Sequence, residues 1–181
     1  MPPKNIVSAE RKAEMVGYYL PGYATLATKE LVSEIPELGD VDYEEGNMEI
    51  IIEMIAFYMH VANRLAFRDL GSQTLPEFSK RLTVAVANAV AAALNDEISS
   101  VVTIAQLRDK YNERESEYAQ YAQFVPEGDE PMEKTLFWEF AKVMFNRFRG
   151  SDNTFDLLQM RSVLLHGMLP FLKKTNLVLN E

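Results

Sequence analysis

The sequence predicts an all-α fold, a single-domain antiparallel bundle of about five long helices preceded by two short N-terminal helices. Apolar residues recur at helical spacing along almost the whole chain, and no segment sustains the alternation of a strand. Glycine and proline fall mostly between the periodic segments, where they would end helices. The chain has 181 residues, a normal size for one domain, so residues 1–181 are predicted to share one hydrophobic core.

Caps and helix breakers place the ends of the predicted helices. In order, these helices cover residues 8–17, 23–33, 47–70, 74–98, 103–124 and 131–148, and a last helix begins near 153. Pro21-Gly22 is expected to separate the first two helices, and Gly71 to end the third. Thr103 is expected to cap the fifth helix. Pro170 removes one backbone hydrogen bond, which predicts a kink or stop in the last helix between Gly167 and Pro170.

Charge and cysteine content exclude several classes of protein. The net charge of −9 repels phosphate backbones and anionic lipid, so neither nucleic acid nor a membrane surface is expected as the main partner. The chain contains no cysteine, which excludes disulfides and cysteine-ligated metals and fits a reducing cytoplasm. Residues 1–15 lack the long apolar core of a signal peptide, and residues 1–7 are expected to form a disordered tail. The most apolar segment, residues 48–62, contains Glu53 and His60 and is predicted to be a buried helix.

The third predicted helix carries its polar residues in one stripe. These residues are Glu49, Glu53, His60, Asn63, Arg64 and Arg68. The favoured interpretation is a narrow solvent-facing side of a buried helix, and the alternative is an internal polar seam that faces a pocket. Glu53 and His60 are about 10 Å apart along the helix axis, so they cannot share one ion without a second helix. No metal site is therefore predicted, and a metal bundle built on His60, Glu53 and Glu49 is the third-ranked hypothesis.

The fifth predicted helix places an arginine in an inward-facing row of tyrosines. The row consists of Tyr111, Tyr118 and Tyr121, with Arg114 in its middle. A buried guanidinium without a partner is very costly, so the favoured interpretation pairs Arg114 with a carboxylate of a facing helix, Glu53 or Glu49. Two alternatives are a protein–protein surface rich in tyrosine and arginine, and a pocket for a small carboxylate or phosphate.

Two other helices carry apolar surface that would suit either the core or an interface. The fourth helix contains TVAVANAVAAAL at residues 83–94, which predicts a tightly packed central helix or, alternatively, a self-association face. The sixth helix is apolar around more than half of its circumference. Trp138 and Phe145 share one edge of that arc, where they would lie at an interface or in the core. His166 on the seventh helix is expected to face water.

No nucleophile motif, phosphate-binding loop or dinucleotide fingerprint occurs, so no cofactor and no catalytic residue is predicted. The first hypothesis is a non-enzymatic interaction or scaffold module that forms a homodimer, the commonest oligomer among soluble proteins. Its interface would contain Trp138, Phe145 and Tyr121. The alternative is a small-anion- or metal-binding bundle, enzymatic or not, with its site between the third and fifth helices. That site would contain Arg114, Tyr111, Tyr118, Glu53, His60 and Arg64.

Overall fold

A computed structural model describes residues 7–35, 45–94, 97–121, 124, 132–148 and 154–181. Within these ranges the fold is all-α and contains no strand, which confirms the all-α part of the prediction but not the predicted number of helices. The helices are α1 (Ala9–Glu34), α2 (Glu45–Leu70), α3 (Leu75–Leu94), α4 (Glu97–Tyr118), α5 (Leu136–Phe148) and α6 (Thr154–Asn180). A short 3₁₀ helix, Met132–Lys134, precedes α5. Six residues of the expected N-terminal tail, 1–6, lie outside the described residues.

Two prolines lie inside helices that the sequence predicted they would interrupt. Pro21 lies within α1, so the two predicted short N-terminal helices are one continuous helix. Pro170 lies within α6, which continues to Asn180, so the predicted stop near Gly167 does not occur, and the alternative of a kink there stays a prediction. Each proline removes one backbone hydrogen bond, but the turns on both sides bury apolar residues against other helices. The packing of those turns offsets the local penalty, and the sequence alone does not reveal that packing.

The ends of α4 also differ from the prediction. This helix begins at Glu97, so Thr103 lies inside it and does not cap it. It ends at Tyr118, where the sequence predicted a helix that continues to Phe124. By contrast, α2 ends where predicted, because Gly71 has a φ of 81°, a left-handed conformation that favours glycine.

The second helix is the centre of the bundle and packs against α1, α3, α4 and α6. The Tyr58 hydroxyl donates to the Gly167 carbonyl at 3.3 Å, and Arg68 donates to Asn176 at 2.8 Å, so α2 and α6 run in the same direction. From Met48 to Leu70, α2 is long and apolar enough to cross a bilayer by length and composition alone, but most of it is buried by its neighbours. Core helices commonly share this property, and burial of this segment was predicted.

Aromatic side chains of α5 complete the core on one side of α2. Phe57 of α2 stacks on Phe140 of α5, with ring centroids 3.7 Å apart and ring planes within 3° of parallel. Trp138 and Phe145 are 6% and 0% exposed within the single chain. Of the two interpretations that the sequence left open for these residues, the core is the one the structure supports. The expected interface at the edge of α5 is therefore corrected, since these side chains have no surface to offer a partner.

Candidate functional site

Polar side chains of α2 and α4 meet in a buried network, which we call the α2–α4 seam. Its members are Glu53, His60, Asn63 and Arg64 of α2 and Tyr111, Arg114, Glu115 and Tyr118 of α4. Glu53, His60 and Asn63 are only 0%, 3% and 6% exposed. The middle of the stripe on α2 is therefore the internal seam of the alternative interpretation, whereas its two ends, Glu49 and Arg68, are exposed, as the favoured interpretation expected. The middle is buried because α4 covers it with complementary polar groups.

Arg114 is held by carboxylates on two sides. Its Nε donates to Glu53 Oε1 at 2.5 Å, and its Nη1 donates to Glu117 Oε2 at 2.5 Å. Lys110 Nζ lies 3.6 Å from the other oxygen of Glu53. Burial alone would lower the pKa of Arg114, but the hydrogen bond and the charge of Glu53 outweigh it and raise that pKa above its ordinary value. The predicted pairing of Arg114 with a carboxylate of a facing helix is confirmed, and Arg114 is not placed to hold an external anion.

His60 lies in a chain of hydrogen bonds that defines the tautomer of its ring. Arg64 Nε donates to His60 Nε2 at 2.8 Å, and His60 Nδ1 lies 2.7 Å from Glu115 Oε2. Because arginine only donates, Nε2 must carry the lone pair, and Nδ1 then carries the proton and donates to Glu115. Burial tends to raise the pKa of Glu115, but the hydrogen bond from His60 and the nearby charges outweigh it and lower that pKa. Burial also lowers the pKa of Arg64.

The side chains of the seam are poorly placed to bind a metal ion. Both ring nitrogens of His60 are already engaged, and the other potential ligand, Glu53, is held by Arg114. Within the described ranges, no group of three or more histidine, aspartate or glutamate side chains lies close enough to hold an ion. The metal-bundle hypothesis on His60, Glu53 and Glu49 therefore has no geometric support in the described part of the chain.

The tyrosine row divides between the seam and the surface. Asn63 Nδ2 donates to the Tyr111 hydroxyl at 2.6 Å, and burial, together with the charge of Glu115, raises the pKa of Tyr111 to about 12. Tyr118 is 1% exposed, and burial raises its pKa well above the ordinary value. Tyr121 is only partly buried, after the last residue of α4. Two of the three predicted tyrosines thus belong to the interior of the single chain.

A cleft of about 430 Å³ opens beside the seam at the C-terminal end of α2. Its polar lining consists of His60, Asn63, Arg64, Arg68 and Glu115, and its apolar lining of Leu65, Phe67, Leu75, Ala119 and Phe124. His60 and Arg64 were predicted to belong to a site between these helices, but the cleft itself was not predicted. The missed signal was the exposed pair Phe67-Arg68, an aromatic ring and a guanidinium at the end of an otherwise buried helix.

A second candidate surface lies on α1 and α3. Residues 15–28 of α1 and 82–94 of α3 contain no charged side chain. The two segments lie side by side, since a Cβ added to Gly17 would come within 2.5 Å of the Ala85 Cβ. Three large apolar side chains are exposed here, Tyr18 by 82%, Leu26 by 64% and Val84 by 51%. We call the exposed side of these two segments the α1–α3 face.

Comparison with known proteins adds no relative to these observations. No protein-family model matches the chain, and no curated protein and no solved structure is significantly similar to it.

Proposed function

We propose that the protein is a non-enzymatic helical interaction module that forms a homodimer through the α1–α3 face. The observation that carries the proposal is an uncharged surface on a chain in which charged residues make up 25% and the net charge is −9. Exposed apolar side chains in contiguous patches commonly mark protein–protein contacts. The contrast with the rest of the chain favours the α1–α3 face over any other described surface.

The shape of the face suits a second copy of the same chain. Tyr18 and Leu26 are exposed beside the small residues Gly22, Ala89 and Ala93, along a groove of about 580 Å³. In a twofold pairing, the large side chains of each copy would meet the shallow surface over the small residues of the other. Two copies that each carry a charge of −9 repel one another, and contact through an uncharged face keeps the charges apart.

This proposal moves the interface away from the residues first expected to form it. Trp138 and Phe145 are buried within one chain, and Tyr121 is partly buried at the end of α4. The alanine-rich segment of α3, residues 83–94, was the alternative candidate for self-association. Its exposed side, with Val84, Asn88 and Ala92, supports that alternative.

Sedimentation velocity across micromolar concentrations tests the proposal with a matched pair of variants. Leu26 and Leu177 are each 64% exposed, but Leu177 lies on α6, away from the α1–α3 face. We expect the wild type to sediment at twice the chain mass of 20.6 kDa, Leu26→Glu as a monomer and Leu177→Glu as a dimer. Buried charge at an interface is strongly unfavourable, whereas an exposed glutamate is tolerated.

A monomeric wild type over the whole concentration range would refute the homodimer. A dimer that Leu177→Glu disrupts and Leu26→Glu does not would refute the location of the interface. Far-UV circular dichroism of both variants shows that their helices are intact, so a change in mass reports association and not unfolding.

A further inference from the structure

Independently of dimerisation, we propose that the cleft at the C-terminal end of α2 binds an aromatic carboxylate. The cleft volume of about 430 Å³ lies within the range of small-molecule sites. Its lining combines two guanidinium groups with apolar and aromatic side chains. A ligand with a charged group at one end and a flat apolar body would complement both parts of this lining.

Arg68 is oriented by two neighbours and keeps one side available. Its Nε and Nη2 donate to the two carboxylate oxygens of Asp69 at 2.6 and 2.8 Å, and Nη2 also donates to Asn176 at 2.8 Å. The side chain is 57% exposed, and Nη1 makes no hydrogen bond to any residue in the described ranges. A guanidinium held in this way offers the two Nη1 protons to an incoming carboxylate at a small loss of side-chain entropy.

Arg64 adds a second positive charge one helical turn before Arg68 on the same wall. Its Nε donates to His60, and its guanidinium carbon lies 5.7 Å from the centre of the Phe124 ring. Glu115 is the one carboxylate of the lining, and His60 already donates to it. The carboxylates of Asp69 and Glu115 balance the charges of the two arginines, so the Nη1 donors of Arg68, and not a net positive charge of the cleft, are what would hold a small anion.

The apolar half of the cleft favours a flat, hydrophobic ligand body. Phe67 is 54% exposed beside Arg68, and Phe124 belongs to the same lining. A ring that covers Phe67 removes apolar surface of both molecules from water. Because Asp69 and Glu115 already balance the two arginines, the second negative charge of a dianion would meet repulsion without a further cation to offset it, so a carboxylate fits this cleft better than a phosphate.

An NMR titration of the isotope-labelled protein with benzoate tests the proposal. We expect benzoate to shift the resonances of cleft residues, and benzamide, its uncharged analogue, to bind at least about tenfold more weakly because it lacks the charge-assisted hydrogen bonds. Phenyl phosphate, the dianionic analogue, is expected to bind more weakly than benzoate. Arg68→Gln and Phe67→Ala are each expected to weaken benzoate binding by about tenfold, for the charge and for the ring respectively.

A control variant separates the cleft from general charge effects. Arg81 is also an exposed arginine paired with one carboxylate, Glu77 at 3.3 Å, but it lies on α3 outside the cleft. Arg81→Gln is expected to leave benzoate affinity unchanged. Both Arg68 and Phe67 are exposed on α2, so their substitution removes little packing, and amide spectra report whether each variant is folded.

Three results would overturn the proposal. The first is the absence of shifts at cleft residues with benzoate at millimolar concentration. The second is equal or tighter binding of benzamide or phenyl phosphate. The third is benzoate binding that Arg68→Gln and Phe67→Ala leave unchanged. None of these results bears on the homodimer, whose test measures sedimentation without ligand.

Discussion

The pair formed by Glu53 and Arg114 offers the sharpest test of how the seam holds α2 and α4 together. The Glu53 side chain is 0% exposed and Arg114 is 12% exposed, so both charges lie largely outside water. Arg114→Met would leave the Glu53 carboxylate buried with Lys110, 3.6 Å away, as the nearest remaining cation. Breaking a buried pair typically costs about 3–5 kcal/mol of unfolding free energy. Because Lys110 still compensates part of the charge, we expect a loss of about 3 kcal/mol.

A double-mutant cycle separates the pair from its surroundings. Glu53→Met/Arg114→Met removes both charges, so its loss of stability should be at least about 2 kcal/mol smaller than the sum of the two single losses. The exposed pair Glu77 and Arg81, each 46% exposed and 3.3 Å apart, is the matched control, with an expected coupling below about 0.5 kcal/mol. Guanidinium denaturation followed by circular dichroism measures all the variants. Additive losses at Glu53 and Arg114, or a coupling no larger than in the exposed pair, would refute the reasoning.

Two further predictions concern the close approach of α1 to α3 and the acid limb of stability. Gly17→Ala should lower the melting temperature because the new Cβ would lie 2.5 Å from the Ala85 Cβ, whereas Gly22→Ala should raise it because nothing lies within 4 Å of its Cβ position. Calorimetry on both variants checks this, and a stabilised Gly17→Ala would contradict it. The folded-state pKa of Glu115 lies below its ordinary value of 4.5, so this carboxylate stabilises the fold above that pH, and its contribution is lost as the pH falls through the lower folded value. Glu115→Gln should therefore show a flatter decline in denaturation midpoint with acid, and a slope identical to that of the wild type would argue against this role.

The fold could be predicted to the extent that local periodicity determines it. The helical repeat of apolar residues indicated an all-α chain, and Gly71 ended α2 where its positive φ requires glycine. The predicted helix ends at Pro21 and near Pro170 were wrong, because burial of the flanking turns outweighed the local signal for a helix end. A proline costs a helix one hydrogen bond, while several buried apolar side chains on either side stabilise it by more. Only the tertiary arrangement shows which of the two effects is larger.

The α2–α4 seam was partly predictable from the requirement that a buried charge be paired, and not from periodicity. An arginine on an apolar face of a helix needs a buried carboxylate. Glu53 and Glu49 were the candidate partners on the facing helix, and the structure shows that Glu53 is the one that pairs with Arg114. The middle of the stripe on α2 was misjudged because exposure depends on how many helices surround α2, and all five other described helices contact it. The cleft was not predicted because its lining residues come from the end of α2, the start of α3 and Phe124. The periodicity of single helices does not show that these segments lie next to one another.

The location of the proposed interface turns on charge and not on hydrophobicity. The number of apolar residues on α5 suggested more apolar surface than one core could bury. Trp138 and Phe145 are nevertheless buried in the core of the single chain. Apolar side chains on a helix can be buried either in the core or at an interface, so their abundance does not distinguish the two locations. Charged side chains are stable without a partner only at the solvent-exposed surface. Their absence from an exposed face is therefore the more specific sign of an interface. The α1–α3 face meets that criterion over residues 15–28 and 82–94, which is why Leu26 and not Trp138 is the residue to substitute.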